Sequence, residues 1–348
     1  MPIFEPKIEV FIGRDALETI AVFDDDYPHL HNILKSHAII RVDLNDTELD
    51  EILSDGENDF SQFCLRNDIQ VVPFKEYFSS LRENMAQIAD RPHAIFFFNI
   101  PISEANELSS KYGVIVQSEM DIQDNALQLL FRKNLDKGEI VTGASDGWSN
   151  LLKEIPLPPI NSLIISDNYL LKNVDNGAFI GFENLKMLLN AILPNTLDIT
   201  FHILIVTRMH NNLSPQKANK LYEELKSYLR RIRSYNFQLE FVFNPTIHPR
   251  KIFSNYFVII GDRGFNLFHP KYNTKVHSDN QISISSILHD TINVYGDTVL
   301  AISSKDLKKI WNSYIELREQ ITNEVNDTTK MIIGDITPDK HLRNRLIN

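Results

Sequence analysis

Between Phe237 and Phe268 the chain reads FQLEFVFNPTIHPRKIFSNYFVIIGDRGFNLF, and this stretch limits the fold more tightly than any other. Two apolar runs, Phe237–Phe243 and Tyr256–Gly261, are too short for helices and rich in aromatic and β-branched residues. Both are predicted as buried strands. Between them sit His248, Pro249 and Arg250, with Asn255 five residues after the arginine. Gly261-Asp262-Arg263-Gly264-Phe265-Asn266 follows, a turn that its two glycines permit. Buried strands on either side of such a cluster aim a His, an Arg and an Asn at one point.

This pattern resembles the phospholipase D superfamily, whose signature is His-x-Lys, four residues, Asp, then a glycine-containing turn and an Asn. The matching residues are His248, Arg250, Asn255, Gly261 or Gly264, and Asn266. Arg stands in place of Lys, Asn in place of Asp, and the last Asn comes one residue late. Upstream, LIISDNYLL (Leu163–Leu171) resembles the strand and loop that open single-copy members. The likeness spans about residues 160 to 290. It implies a catalytic set of His248, Arg250, Asn255 and Asn266, with Gly264, Arg263 and Glu240 against the substrate.

In that superfamily two histidines work from opposite sides of the phosphorus. One attacks to form a phosphohistidine and the other protonates the leaving oxygen. Cations and amide donors hold the equatorial oxygens, and neither metal nor other cofactor is expected. A single copy implies a twofold homodimer that brings a second His248 to the first. Arg250 would keep the positive charge and add a bidentate fork for phosphate. Asn255 removes the carboxylate that would orient or charge a histidine.

Composition narrows the partners. The formal net charge is −11, which counts against a broad DNA-wrapping surface but leaves room for a narrow phosphate-reading cleft. No apolar run is long enough to span a bilayer, and the opening MPIFEPKIEVFIGRD lacks a signal-peptide core, so a soluble cytoplasmic protein without membrane contact is expected. The single Cys64 excludes an internal disulfide framework and a cysteine-rich zinc site. Asp24, Asp25, Asp26, Asp43 and Asp46 read as a solvated turn followed by an N-cap at Asp46; the competing reading gathers them around a metal.

Strand and helix patterns alternate throughout, so the fold class expected is α/β. Residues 1–140 are expected to form an N-terminal α/β domain, with strands at residues 4–12, 37–45, 93–100 and 114–117 and helices from Asp46 and over Lys75–Ala89. The proline-rich IPLPPIN closes a linker over 141–160, where Trp148 is expected to dock onto one of the domains. Residues 161–300 are expected to form a phospholipase D-like mixed sheet with covering helices. Residues 301–348 are expected to form an amphipathic helix over Asp306–Glu324 and a polar tail, after a late strand TVLAISS (Thr298–Ser304). His269-Pro270-Lys271 repeats His-x-Lys, but Val276 stands where Asp belongs, so it is read as a decoy.

Two functional readings follow. In one, the chain is a phospholipase D-like phosphodiesterase, a metal-independent nuclease with a histidine nucleophile at a homodimer interface; the resemblance implies an antiphage setting. In the other, the pocket is catalytically degenerate and binds phosphate or nucleic acid, or scaffolds a larger complex. The N-terminal domain would then contribute a protein partner.

Overall fold

The computed structural model describes residues 6–135, 147–153, 155–172, 174–175, 178–246, 249–262, 264–268, 281–290, 297–322, 330–334 and 342–347. The first half contains β1 (Ile8–Ile12), α1 (Arg14–Val22), α2 (Pro28–Asn32), β2 (Ala38–Val42), α3 (Asp46–Ser54), α4 (Asp59–Cys64), β3 (Val71–Pro73), α5 (Lys75–Glu83), β4 (Ala94–Phe98), α6 (Ile102–Tyr112), β5 (Ile115–Ser118) and α7 (Asp124–Leu127). Its strands lie side by side in the order β3-β2-β1-β4-β5, all parallel. Strands covered on both faces read as continuous apolar runs. β4 shows this: Ile95 and Phe97 join one core, while Phe96 joins the other and stacks on Phe11 at 4.7 Å. Glu9, the polar exception in β1, is paired with Arg41 and Arg91.

The second half adds β6 (Lys133–Leu135), α8 (Gly147–Lys153), β7 (Ser162–Ser166), the ribbon β8 (Val174–Asp175) and β9 (Ala178–Phe179), α9 (Ile180–Ile192), β10 (Phe201–Thr207), α10 (Pro215–Ile232), β11 (Phe237–Phe243), β12 (Lys251–Ser254), β13 (Phe257–Gly261), β14 (Ile282–Ser286), α11 (Val299–Thr322) and β15 (Met331–Gly334). Among the described residues these form a mixed sheet in the order β15-β11-β10-β7-β12-β13-β14-β6. β7, β10 and β11 run parallel, and the remaining pairings are antiparallel. Period-two alternation sorts the side chains. Leu239, Phe241 and Phe243 of β11 pack with α8, α9 and α10, while Val242 packs with Leu307, Ile310 and Tyr314 of α11. Trp148, in α8, is buried in the first of these cores, edge-on to Phe268 at 5.6 Å.

A seam joins the two sheets. Tyr256 is fully buried in the core of the first sheet, with Ile287, Leu288 and Leu300 beside it. Its hydroxyl donates to the Ala94 carbonyl at 2.5 Å and accepts from the Ile115 amide at 2.9 Å. Asn255, also fully buried, uses both ends of its amide. Oδ1 accepts from the Asn161 and Ser162 amides at 3.1 and 3.2 Å, and Nδ2 donates to the Gly113 carbonyl and to Asn161 Oδ1. Asn161 Nδ2 continues to the carbonyls of Ala89 and Tyr112. The His93 ring lies 2.6 Å from the Asn255 carbonyl, and burial holds its pKa below the ordinary value.

Four local expectations need correction. TVLAISS is not a strand: from Val299 it is the first turns of α11, and Ser303 and Ser304 bond back to the carbonyls of Val299 and Leu300. The Lys75–Ala89 helix stops at Glu83, because Asn84 leaves helical geometry and its side chain receives the Ala86 amide to start a 3-10 turn. Asn45, not Asp46, caps α3, in a reciprocal capping box with Glu48. The polar tail contains a strand, β15, which pairs antiparallel with β11. The decoy His269-Pro270-Lys271 lies outside the described residues. Among the described residues no helix is long and apolar enough to cross a membrane, and no group of His, Cys, Asp and Glu side chains could hold a metal ion.

Candidate functional site

β7, β10 and β11 run parallel and end at one edge of the second sheet; β12, antiparallel to β7, begins there. Ligands of open α/β sheets gather beyond the carboxyl ends of parallel strands. At this edge a cleft of about 310 Å³ is lined by Asn168, Tyr169, Arg250, Lys251, Ile260 and Gly261.

Asp167, the first residue after β7, organises the edge. Its amide donates to Val206 and its carbonyl accepts from the Thr207 hydroxyl, which ties β7 to β10. Its carboxylate accepts from the amides of Tyr169 at 2.8 Å and Phe265 at 2.9 Å. Gly264 sits against that carboxylate with φ +84°, and a Cβ there would lie 2.5 Å from Asp167 Oδ2. Only glycine satisfies both the left-handed backbone and the close approach. Burial raises the Asp167 pKa above its ordinary 3.8, against the two amide bonds and the nearby charges of Arg250 and His210.

The cationic side of the cleft is built on Tyr169. The Arg250 guanidinium lies over its ring, 4.7 Å from the centroid, and Nη1 donates to the Asp262 carbonyl. Lys172 lies 5.1 Å from the same ring, and the His210 ring lies nearly parallel to it with Nε2 2.6 Å from the Asn168 carbonyl. Lys251 is held by Asp306 of α11 at 2.6 Å, both side chains being largely buried. Stacking on an aromatic face fixes a guanidinium while leaving its other donors free in direction.

The expected site residues do not all converge. Arg250 lines the cleft and Gly264 lies just behind it. Asn266 does not line it; its Oδ1 accepts from Asn184 of α9, which also holds both backbone groups of Phe268. Asn255 lies at the far end of β12, about 16 Å from Arg250 by strand rise, inside the seam. It cannot meet a substrate in the cleft. Glu240 points to the α11 face of the sheet, where its carboxylate accepts from the Arg343 amide at 3.1 Å; it is not at the cleft either. His248 and Arg263 lie outside the described residues.

Sequence reasoning missed Asp167, Tyr169, Lys251 and His210. The first two were visible as the end of an apolar strand followed by a turn, in SLIISDNY. Nothing in the local sequence singles out His210, since the pairing of β10 beside β7 is what brings it there.

Residues 147–295 match the family model described as the phospholipase D-like domain at the C-terminus of MIT. That span opens with α8, contains every residue of the cleft, and makes this part of the chain phospholipase D-like. No curated protein matches the chain.

Proposed function

We propose that the phospholipase D-like part of the chain binds a phosphate-bearing ligand, nucleic acid first among candidates, in the cleft at the ends of β7, β10 and β12, and does so without cleaving it. One observation carries this reading: Arg250, in the position of the superfamily's lysine, is held on Tyr169 at the mouth of the cleft. A fixed guanidinium offers a charge-assisted fork to phosphate oxygens. The departure of Asn255 supports the absence of cleavage, because the residue in the superfamily's Asp position is engaged within the scaffold.

The alternative is a metal-independent nuclease, with His248 as nucleophile and a second copy supplying its partner in a homodimer, in an antiphage setting. The spacing of His248 before Arg250 favours it.

Both are tested on labelled single- and double-stranded DNA and RNA in EDTA, with wild type, Arg250→Ala and His248→Ala. Losing one charged hydrogen-bond partner costs about 1.5–3 kcal/mol, so binding should weaken roughly 10- to 150-fold in Arg250→Ala, with substrates intact throughout. Equal binding by Arg250→Ala would refute the cleft. Cleavage by wild type that vanishes in His248→Ala would establish the nuclease instead.

A further inference from the structure

The first sheet carries a second cavity, unrelated to the motif. In the order β3-β2-β1-β4-β5 the connections diverge between β1 and β4, the switch point at which an open parallel sheet leaves a crevice. A cavity of about 510 Å³ lies there, within the roughly 300–1,000 Å³ typical of small-molecule pockets. The residue that immediately follows each of four parallel strands lines it: Gly13 after β1, Asp43 after β2, Asn99 after β4 and Glu119 after β5. The wall on the α5 side is apolar, formed by Phe78, Leu81 and Met85 with Phe97 and Phe98 of β4.

Its chemistry separates it from a nucleotide-phosphate pocket. In sheets of this kind the first helix after β1 usually presents bare amides to a phosphate. Here the Gly13 amide, at the N-terminus of α1, already donates to Glu119 Oε1 at 2.6 Å, and a Cβ on Gly13 would come within 2.8 Å of that oxygen. A carboxylate therefore stands where a phosphate would go. Asp15 and Asp43 add further negative charge beside it; the two cations of the lining are Arg14 and Arg82, the latter turned to Asp43 at 3.6 Å. Burial, with Asp43 and Asp15 nearby, raises the Glu119 pKa above the ordinary carboxyl value. The cavity thus offers hydrogen-bond acceptors over an apolar wall, with three carboxylates against two guanidiniums in its lining.

We infer that this crevice binds a nucleoside-class ligand: a planar ring against Phe78, Met85 and Phe98, and sugar hydroxyls donating to Asp43 and Glu119. An acidic residue directly after the second strand is the position from which α/β sheets bind ribose hydroxyls. The Glu119 carboxylate on the Gly13 amide, with Asp15 and Asp43 beside it, selects the nucleoside over its phosphate ester.

The test is calorimetric titration of the full chain with adenosine, guanosine, cytidine and uridine, with their 5′-monophosphates, and with the 2′,3′-dideoxy analogue of any binder. The expected result is one nucleoside that binds below about 1 mM and at least tenfold tighter than its monophosphate and its dideoxy analogue. Asp43→Ala should weaken it at least tenfold, and Met85→Trp, which fills the crevice from its rim, should abolish it while leaving the thermal transition near that of wild type. Failure of all four nucleosides, a monophosphate that binds as tightly, or unchanged binding in Met85→Trp would overturn the assignment. None of these readouts involves Arg250, so the assignment stands or falls apart from the phosphate cleft.

Discussion

Replacing Asn255 by Asp restores the residue expected from the superfamily signature, and the structure predicts that it will damage the protein rather than activate it. The Asn255 amide makes four buried bonds. The two that its Oδ1 accepts, from the amides of Asn161 and Ser162, survive in a carboxylate. The two that Nδ2 donates, to the Gly113 carbonyl and Asn161 Oδ1, become oxygen facing oxygen. The Gly113 carbonyl left without this donor costs about 1–3 kcal/mol. Asn161 Oδ1 keeps the Ser162 hydroxyl at 3.0 Å but faces a repelling oxygen in addition. Together these are a substantial part of the ~5–15 kcal/mol that holds a typical domain folded. A protonated aspartic acid can give back one donor, and its folded pKa must therefore rise above the ordinary ~3.9. A raised folded pKa means stability that is present at low pH and lost as pH rises through that value. Urea unfolding at pH 5 and pH 8 should show Asn255→Asp less stable at both, and more so at pH 8. A variant as stable as wild type, or one that gains metal-independent cleavage, would refute the scaffold role.

Other consequences are simpler. Tyr256→Phe removes the hydroxyl that bridges Ala94 and Ile115 and should cost about 2–5 kcal/mol by urea denaturation, with no change in the phosphate cleft. Asp167→Asn should destabilise by about 1–3 kcal/mol, since an amide keeps one acceptor oxygen for two backbone donors. Because the folded Asp167 pKa is raised, wild-type stability relative to this variant should fall as pH climbs from about 3.8 through the folded value, and a gap that widens instead would contradict the assignment. Burial pushes the Cys64 thiol up to about 12, so iodoacetamide at pH 8 should modify it slowly in the folded chain and rapidly in urea.

Much of this architecture was legible from local pattern. The apolar runs FQLEFVF and FVIIG and the strand at residues 94–98 announce themselves because burial on both faces leaves little room for polar residues. The site was harder to read. A spacing of five residues says that Arg250 and Asn255 are near in sequence, but a strand between them places them at opposite ends of a rod. Glu240 failed for the other strand property, alternation, since it points away from the side that Phe241 and Phe243 face. TVLAISS misled because a β-branched run at a helix start looks like a strand until Leu307 and Ile310 reveal the longer period. Asp167 and His210 meet only through sheet order, which no local pattern encodes.

The seam has a consequence for how this chain can be divided. The matched span of residues 147–295 holds the whole cleft but not the surfaces that cover its sheet. A piece cut at those limits would lose β15 from the edge of β11 and α11 from the face carrying Val242 and Phe253. Tyr256, cut loose from Ala94 and Ile115, would carry a phenol and a bare apolar surface into water. The borders of sequence likeness and the borders of an autonomous folding unit therefore differ here. A recombination event that moved only the recognisable part would deliver a binding cleft on an unfinished sheet, so residues 8–135 travel with it as a structural half of one object.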